Sequence, residues 1–290
     1  MPRIVVPLDE SENSEQVLPW AAYLARKLEC SVHLVTVWTH DEEIWLRAGI
    51  EPGAPLERIA SALDEYLAET RRRPELEGIK VTSEVRVGNV ANHIREISEA
   101  GETRYVVLTS HGKGGVRRFI QGSIADALVR SLKVPVVVVR PGEASPPIER
   151  ILLTLDGSET SECGLGPARA LAGATGATLH LLRVVNPLAE LPFTTMGPAG
   201  DLGELSEHLY EAAREYLAKI AREGETAEVL AGRPLDVITG YARDKACDMI
   251  VMGTHGRGGV LRLALGSTAD AVMRAADRVV MLVPERVSKA

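Results

Sequence analysis

Residues 252–267 read MGTHGRGGVLRLALGS and residues 108–123 read LTSHGKGGVRRFIQGS, and the two align without a gap. Gly256 matches Gly112, Gly266 matches Gly122 and Ser267 matches Ser123, while Gly253 stands where the first copy has Thr109. Loops of this composition suit phosphate chemistry. Glycine reaches left-handed backbone and turns successive N–H groups into a concave nest. A helix starting beyond the loop adds orphan N–H groups and the positive end of its dipole. In the second copy, Gly253 is expected to close a strand and leave its backbone open to a ligand. Gly256 and Gly258–Gly259 shape the nest, and Gly266 and Ser267 begin the next helix. Thr109 predicts a narrower approach in the first copy, because its side chain is β-branched. No G-K-[ST] follows the glycines, so this is not a Walker loop. A dinucleotide fingerprint would follow the first strand instead. A glycine-rich strand-to-helix loop also serves as a plain turn. The anion reading rests on several anion-friendly features meeting on one rim.

Other polar residues recur at matching places. Asp9 and Asp156 each follow an apolar run, and two readings stay open: facing a ligand, or bracing the loop. His111 and His255 sit beside glycine turns, where a backbone or packing role is expected. His33 and His180 hold corresponding strand positions and are read as packed. Arg257 and Arg262 could assist an anion, although flexible loop arginines are usually solvated. Arg71, Arg72 and Arg73 read as a solvated helix end, and Glu10, Glu12 and Glu15 as first-turn acids. There is no G-x-S-x-G, H-E-x-x-H or paired-carboxylate constellation.

The elements that must position these groups come from a repeat. RIVVPLDESE at 3–12 returns as RILLTLDGSE at 150–159, 147 residues later, and VRVGNV at 85–90 resembles VLAGRP at 229–234. The matches keep their order, so a whole domain is duplicated. Expected bounds are 1–140 and 150–285, joined by a linker at 141–149 whose prolines and glycine suit neither helix nor central strand. Short β-branched runs at 4–8, 32–37, 106–108 and 135–139 read as strands buried on both faces. The second half offers 151–155, 177–184, 226–230, 248–252 and 279–283. Between them lie helical stripes: Ile59, Leu63, Tyr66 and Leu67, then Val90, Ile94 and Ile97. Alternating β and α implies a parallel sheet with helices on both faces. Ligands of such sheets bind beyond the carboxyl ends of the strands. Asp9, Asp156, the strand-ending Val37 and Val184, and the glycine loops all fall there. Segments 39–54 and 186–204 are less regular, and the second reads as a loop.

Bulk composition narrows the classes. A net charge of −7 over 290 residues lacks the basic excess of a general nucleic-acid binder. Cys30, Cys163 and Cys247 are widely spaced without a CxxC, which disfavours a disulfide framework or zinc site. The first residues, MPRIVVPLDE, lack the apolar core of a signal peptide, and no apolar run reaches membrane-spanning length. The expected compartment is the cytoplasm.

The spacing G-x2-G-x9-G-[ST], at Gly253, Gly256, Gly266 and Ser267, resembles the signature of the ATP-binding universal stress proteins. VPLDES, TLDGSE and the ending PVVVVR are similar to that family too, across nearly the whole chain. The resemblance implies two repeated, doubly wound α/β domains, each a five-stranded parallel sheet of order 3-2-1-4-5. It implies ATP or a related adenine nucleotide, with Mg2+ as the metal its phosphates would carry. Asp156 would face ribose or that metal, backbone at Val184 would read the adenine edge, and Gly253, Gly256, Gly266 and Ser267 would hold phosphates. In the first half Asp9, Val37, Gly112, Gly122 and Ser123 match, while Thr109 departs from the pattern and puts that site in doubt. Fifth strands commonly pair in this family. Val136–Val139 and Val279–Val283 are the apolar candidates for a pseudo-dimer within the chain or a homodimer. A regulatory nucleotide module is the leading expectation. The alternatives are a slow ATP-hydrolysing enzyme, slow because no dedicated base is visible, and a nucleotide-free interaction module.

Overall fold

A computed structural model describes residues 1–39, 56–110, 124–140, 142, 146–187, 201–254 and 265–285, with backbone alone at Leu56 and 201–205. The chain divides into two compact units, Met1–Pro146 and Pro147–Val287.

The first unit runs β1 (Arg3–Leu8), α1 (Glu12–Glu15), α2 (Leu18–Lys27), β2 (Ser31–Trp38), α3 (Leu56–Thr70), a 3-10 turn (Pro74–Leu76), β3 (Val81–Val87), α4 (Val90–Ala100), β4 (Thr103–Thr109), α5 (Ile124–Ser131) and β5 (Val136–Val139). Its strand order is β3-β2-β1-β4-β5, with every pair parallel. The second unit runs β6 (Arg150–Leu155), α6 (Glu159–Glu162), α7 (Leu165–Thr175), β7 (Thr178–Val185), α8 (Asp201–Ile220), β8 (Thr226–Ala231), α9 (Pro234–Asp244), β9 (Met249–Gly253), α10 (Ser267–Ala275) and β10 (Val279–Val283). Its order, β8-β7-β6-β9-β10, repeats the first, again with parallel pairs. Both are the 3-2-1-4-5 winding.

Burial explains the strands. Ile4, Val5 and Val6 are consecutive in β1 and all fully buried, so both faces of the strand are covered. Such a run has no reason to alternate with polar residues. Among the described residues β3 has only β2 beside it and is largely half-exposed, so V-T-S-E-V-R-V mixes polar and apolar residues. For that reason apolar runs mark four strands in the first half and miss Val81–Val87.

The helical stripes pack as expected: Ile59, Leu63, Leu67, Ile94 and Ile97 are buried. Two readings need correction. The stretch 186–204 is not wholly a loop, because α8 begins at Asp201. Leu202 and Leu205 already stand at helical spacing there, and Gly203 disguises the start. Arg73 is not merely solvated: beyond α3 it forms an ion pair with Glu15 of α1. Segment 40–55 lies outside the described residues.

Candidate functional site

The site begins with the turn after the first strand of each unit. Asp156 follows β6 directly, and its Oδ1 accepts the Ser158 N–H at 2.9 Å and the Ser158 hydroxyl at 2.5 Å. Ser158 Oγ in turn accepts the Ser161 N–H at 3.1 Å, which caps α6. Ser161 Oγ donates to the Ser158 carbonyl at 2.8 Å and accepts the Asp156 N–H at 3.2 Å. Aspartate, two hydroxyls and three amides thus close one ring of bonds. The first unit repeats it with Asp9, Ser11 and Ser14: 3.1 and 2.5 Å to Oδ1, 3.1 Å for the cap, 2.9 and 3.3 Å to close.

The bracing role of both aspartates is therefore present in the structure. It leaves them half-buried at the carboxyl end of the sheet, where a ligand would meet them. The serines escaped the sequence reading, although the signal was there. D-x-S-x-x-S occurs at 9–14 and again at 156–161. Behind each brace a phenol faces a glutamate, Tyr66 with Glu15 and Tyr216 with Glu162. Burial, reinforced by the carboxylate, pushes both phenols above their ordinary value.

The second strand supplies backbone. β2 and β7 run one residue past the expected ends, to Trp38 and Val185. The Trp38 carbonyl accepts the Gly88 N–H at 2.8 Å, so it points toward β3. Successive carbonyls of a strand point to opposite sides. The Val37 carbonyl therefore points the other way, toward the line of β1. The β1 ladder stops at the Leu8–Thr36 pair, so Val37 looks past its end. Val184 repeats this arrangement: the Val185 carbonyl accepts from Gly232 N at 3.1 Å, and the β6 ladder stops at Leu155–Arg183. Each valine thus aims its main chain at the space beside its unit's aspartate.

The fourth strand and next helix complete the rim. Gly253 is the last residue of β9, paired with Val283. The following Thr254 is buried, and its carbonyl accepts the Gly266 N–H at 2.7 Å. That bond holds the start of α10 against the end of β9. Gly266 is the N-cap of α10 and, as a glycine, brings no side chain to cap it. Ser267 is its first residue and is exposed. The first-turn N–H groups have no partner within the helix.

In the first unit, an open cleft of about 150 Å³ is lined by Asp9, Val37, Thr109, Ser110, Ile124 and Leu128, among others. Gly112, Gly122, Ser123 and Gly256, with His111, His255, Arg257 and Arg262, lie outside the described residues. His33 and His180 are more than packed. His33 bonds Thr82 at 2.8 Å and Glu84 at 3.1 Å, and His180 bonds Tyr241 at 3.0 Å.

Packing gives a further reason for a glycine at 253. A Cβ placed on it would meet the Thr160 carbonyl oxygen at 2.5 Å. The neighbour that excludes a side chain there is the protein's own α6.

Among the described residues, no group of three or more His, Cys, Asp or Glu is placed to hold a metal, and no helix is long and apolar enough to cross a membrane. A Mg2+ would fit here only as a companion of bound phosphates, with at most one or two carboxylates from the protein.

A duplicated, doubly wound parallel sheet, with the same braced aspartate at the carboxyl rim of each copy, defines a tandem α/β protein. The model of the universal stress protein family matches residues 1–140 and 147–284, and the chain belongs to that family. It is 27% identical over 308 residues to a universal stress protein of Mycolicibacterium smegmatis, covering 98% of this chain and 97% of that protein. It is 30% identical over 203 residues to one from Mycobacterium tuberculosis, covering 68% of this chain and 67% of that protein. The crystal structure of a universal stress protein from Archaeoglobus fulgidus shares the fold, with a TM-score of 0.68 at 22% identity over 97% of this chain and 96% of that one.

Proposed function

We propose that this tandem universal stress protein binds ATP or a related adenine nucleotide and acts as a regulatory module rather than a dedicated enzyme. The observation that carries the reading is the helix start at Gly266–Ser267. Its N-cap residue is a glycine, without a capping side chain, and it is held against the end of β9 by the Thr254 carbonyl. Anions are favoured at such a terminus. In this reading Gly253, Gly256, Gly266 and Ser267 surround the phosphates, and Asp156 faces ribose or a phosphate-bound Mg2+. The main chain of Val184 reads the adenine edge.

The cleft of the first unit supports a second, weaker site, with Asp9 and Val37 in the same roles and Gly112, Gly122 and Ser123 at the phosphates. The test is extraction of nucleotide from denatured protein, followed by calorimetry of the stripped chain with ATP, with and without Mg2+. Binding of ATP at one tight and one weaker site is the expected result. No binding after exhaustive extraction overturns the reading in favour of a nucleotide-free interaction module. Turnover above about one per second, in the ordinary enzyme range, would replace the regulatory role with an ATPase. Light scattering decides whether apolar fifth strands also build a homodimer.

A further inference from the structure

A Cβ built on Gly253 would stand 2.5 Å from Thr160 O and 3.1 Å from Ser161 Cα. Both atoms are backbone, which yields far less readily than the end of a flexible side chain. They belong to α6, the turn whose serines brace Asp156. The same glycine ends β9, one residue before the carbonyl that holds the start of α10. It therefore lies at the junction between the aspartate turn and the helix start.

We propose that Gly253 is a positioning residue. It seats the Thr160 carbonyl against the end of β9 and so fixes where the Asp156 carboxylate stands relative to Gly266 and Ser267. The inference rests on the nucleotide reading of that rim and gives the glycine a further task there, in the protein's own packing.

The first unit provides the internal comparison. Thr109 occupies the place of Gly253 and Asn13 that of Thr160. The brace of Asp9, Ser11 and Ser14 forms there with the same partners, so the brace itself tolerates a side chain on the fourth strand. A threonine Cβ needs more room from the Asn13 carbonyl than the 2.5 Å that a Cβ on Gly253 would have from Thr160 O. Thr109 is a spacer between α1 and β4, and it lines the cleft that opens beside them.

The experiment uses the full chain and two readouts, hydrogen exchange without ligand and ATP affinity by calorimetry. Gly253→Ala should speed exchange at the Ser158 and Ser161 amides by about tenfold or more, because α6 loses its seat. It should also weaken ATP binding by about tenfold. In an Asp156→Asn background the same substitution should cost less than about threefold more, because the carboxylate it positions is already gone. Thr109→Gly should slow exchange at the Ser11 and Ser14 amides, and it decides the matter if Gly253→Ala does not fold. Lost affinity with unchanged exchange, or fully additive effects with Asp156→Asn, overturns the positioning role and leaves nucleotide binding intact. Failure of the wild-type chain to bind ATP removes the nucleotide reading, while the exchange data still decide whether Gly253 seats α6.

Discussion

Glu10 and Gly157 share one left-handed backbone conformation at the same place in the two repeats, with φ of 62° and 80°. The relationship recurs where the next helix ends: Glu29 has φ 53° and its counterpart Gly176 has φ 79°. In both pairs the second unit uses the residue that reaches this region without a Cβ penalty, and the first unit does not.

Glu10→Gly and Glu29→Gly should therefore each stabilise the first unit. The relief of about 1 kcal/mol is partly offset by the greater chain entropy of glycine, leaving a gain of roughly 0.5 kcal/mol each. The converse is cleaner at Gly176, where a Cβ would meet nothing within 4 Å. Gly176→Ala should cost the second unit about 1 kcal/mol from backbone strain alone. Urea denaturation of each variant checks both signs.

Arg169 of α7 clamps the segment after α8. Its Nε and Nη2 donate to the two carboxylate oxygens of Glu225 at 2.6 and 2.8 Å, and Nη2 also donates to the Ile220 carbonyl at 2.6 Å. The side chains are only 18% and 10% exposed, so solvent screens the pair weakly. Hydrogen bonds from Arg169 hold the Glu225 carboxyl below its usual range. A carboxylate lowered in the folded state stabilises above its unfolded pKa and loses that contribution as pH falls through the folded one. Glu225→Gln should cost about 1–3 kcal/mol at neutral pH, and the difference from the unsubstituted chain should shrink below about pH 4. Denaturation at both pH values decides it.

His180 should make the second unit sensitive to mild acid. The Tyr241 hydroxyl donates to Glu228 at 2.7 Å, so His180 Nδ1, 3.0 Å from that oxygen, must carry the proton of their bond. Burial lowers the His180 pKa, Glu228 opposes that shift, and Lys245 and Arg150 add to it. A histidine lowered in the folded state favours the neutral form. Stability is then complete above the unfolded value of about 6.5 and falls as pH drops toward the folded one. His180→Gln should flatten this slope, so its stability difference from the unsubstituted chain narrows between pH 7.5 and 5.5. A parallel pair of curves would remove His180 from the account.

The duplication, the buried parallel strands, the helical stripes and the place of Asp9 and Asp156 were all legible in the residue order. Each rests on local pattern: an apolar run such as IVV, a stripe such as Ile59–Leu63–Leu67, a strand followed at once by an acid. Less was legible where a residue answers to a distant partner. β3 hides because an edge strand need not be an apolar run. Arg73 looks like one of three solvated arginines until α1 brings Glu15 to it.

Gly253 shows the division most clearly. Its sequence position marks a place where a side chain is unwelcome, and a ligand or a neighbouring backbone could equally be the cause. Only the folded chain brings Thr160, more than ninety residues earlier in the sequence, against the end of β9. Spacing along the chain determined the elements and the rim on which the polar residues gather, and the family resemblance supplied their winding. Tertiary packing decided which backbone occupies the gap a missing Cβ leaves, because that contact depends on how closely a helix settles on a strand and not on either sequence alone.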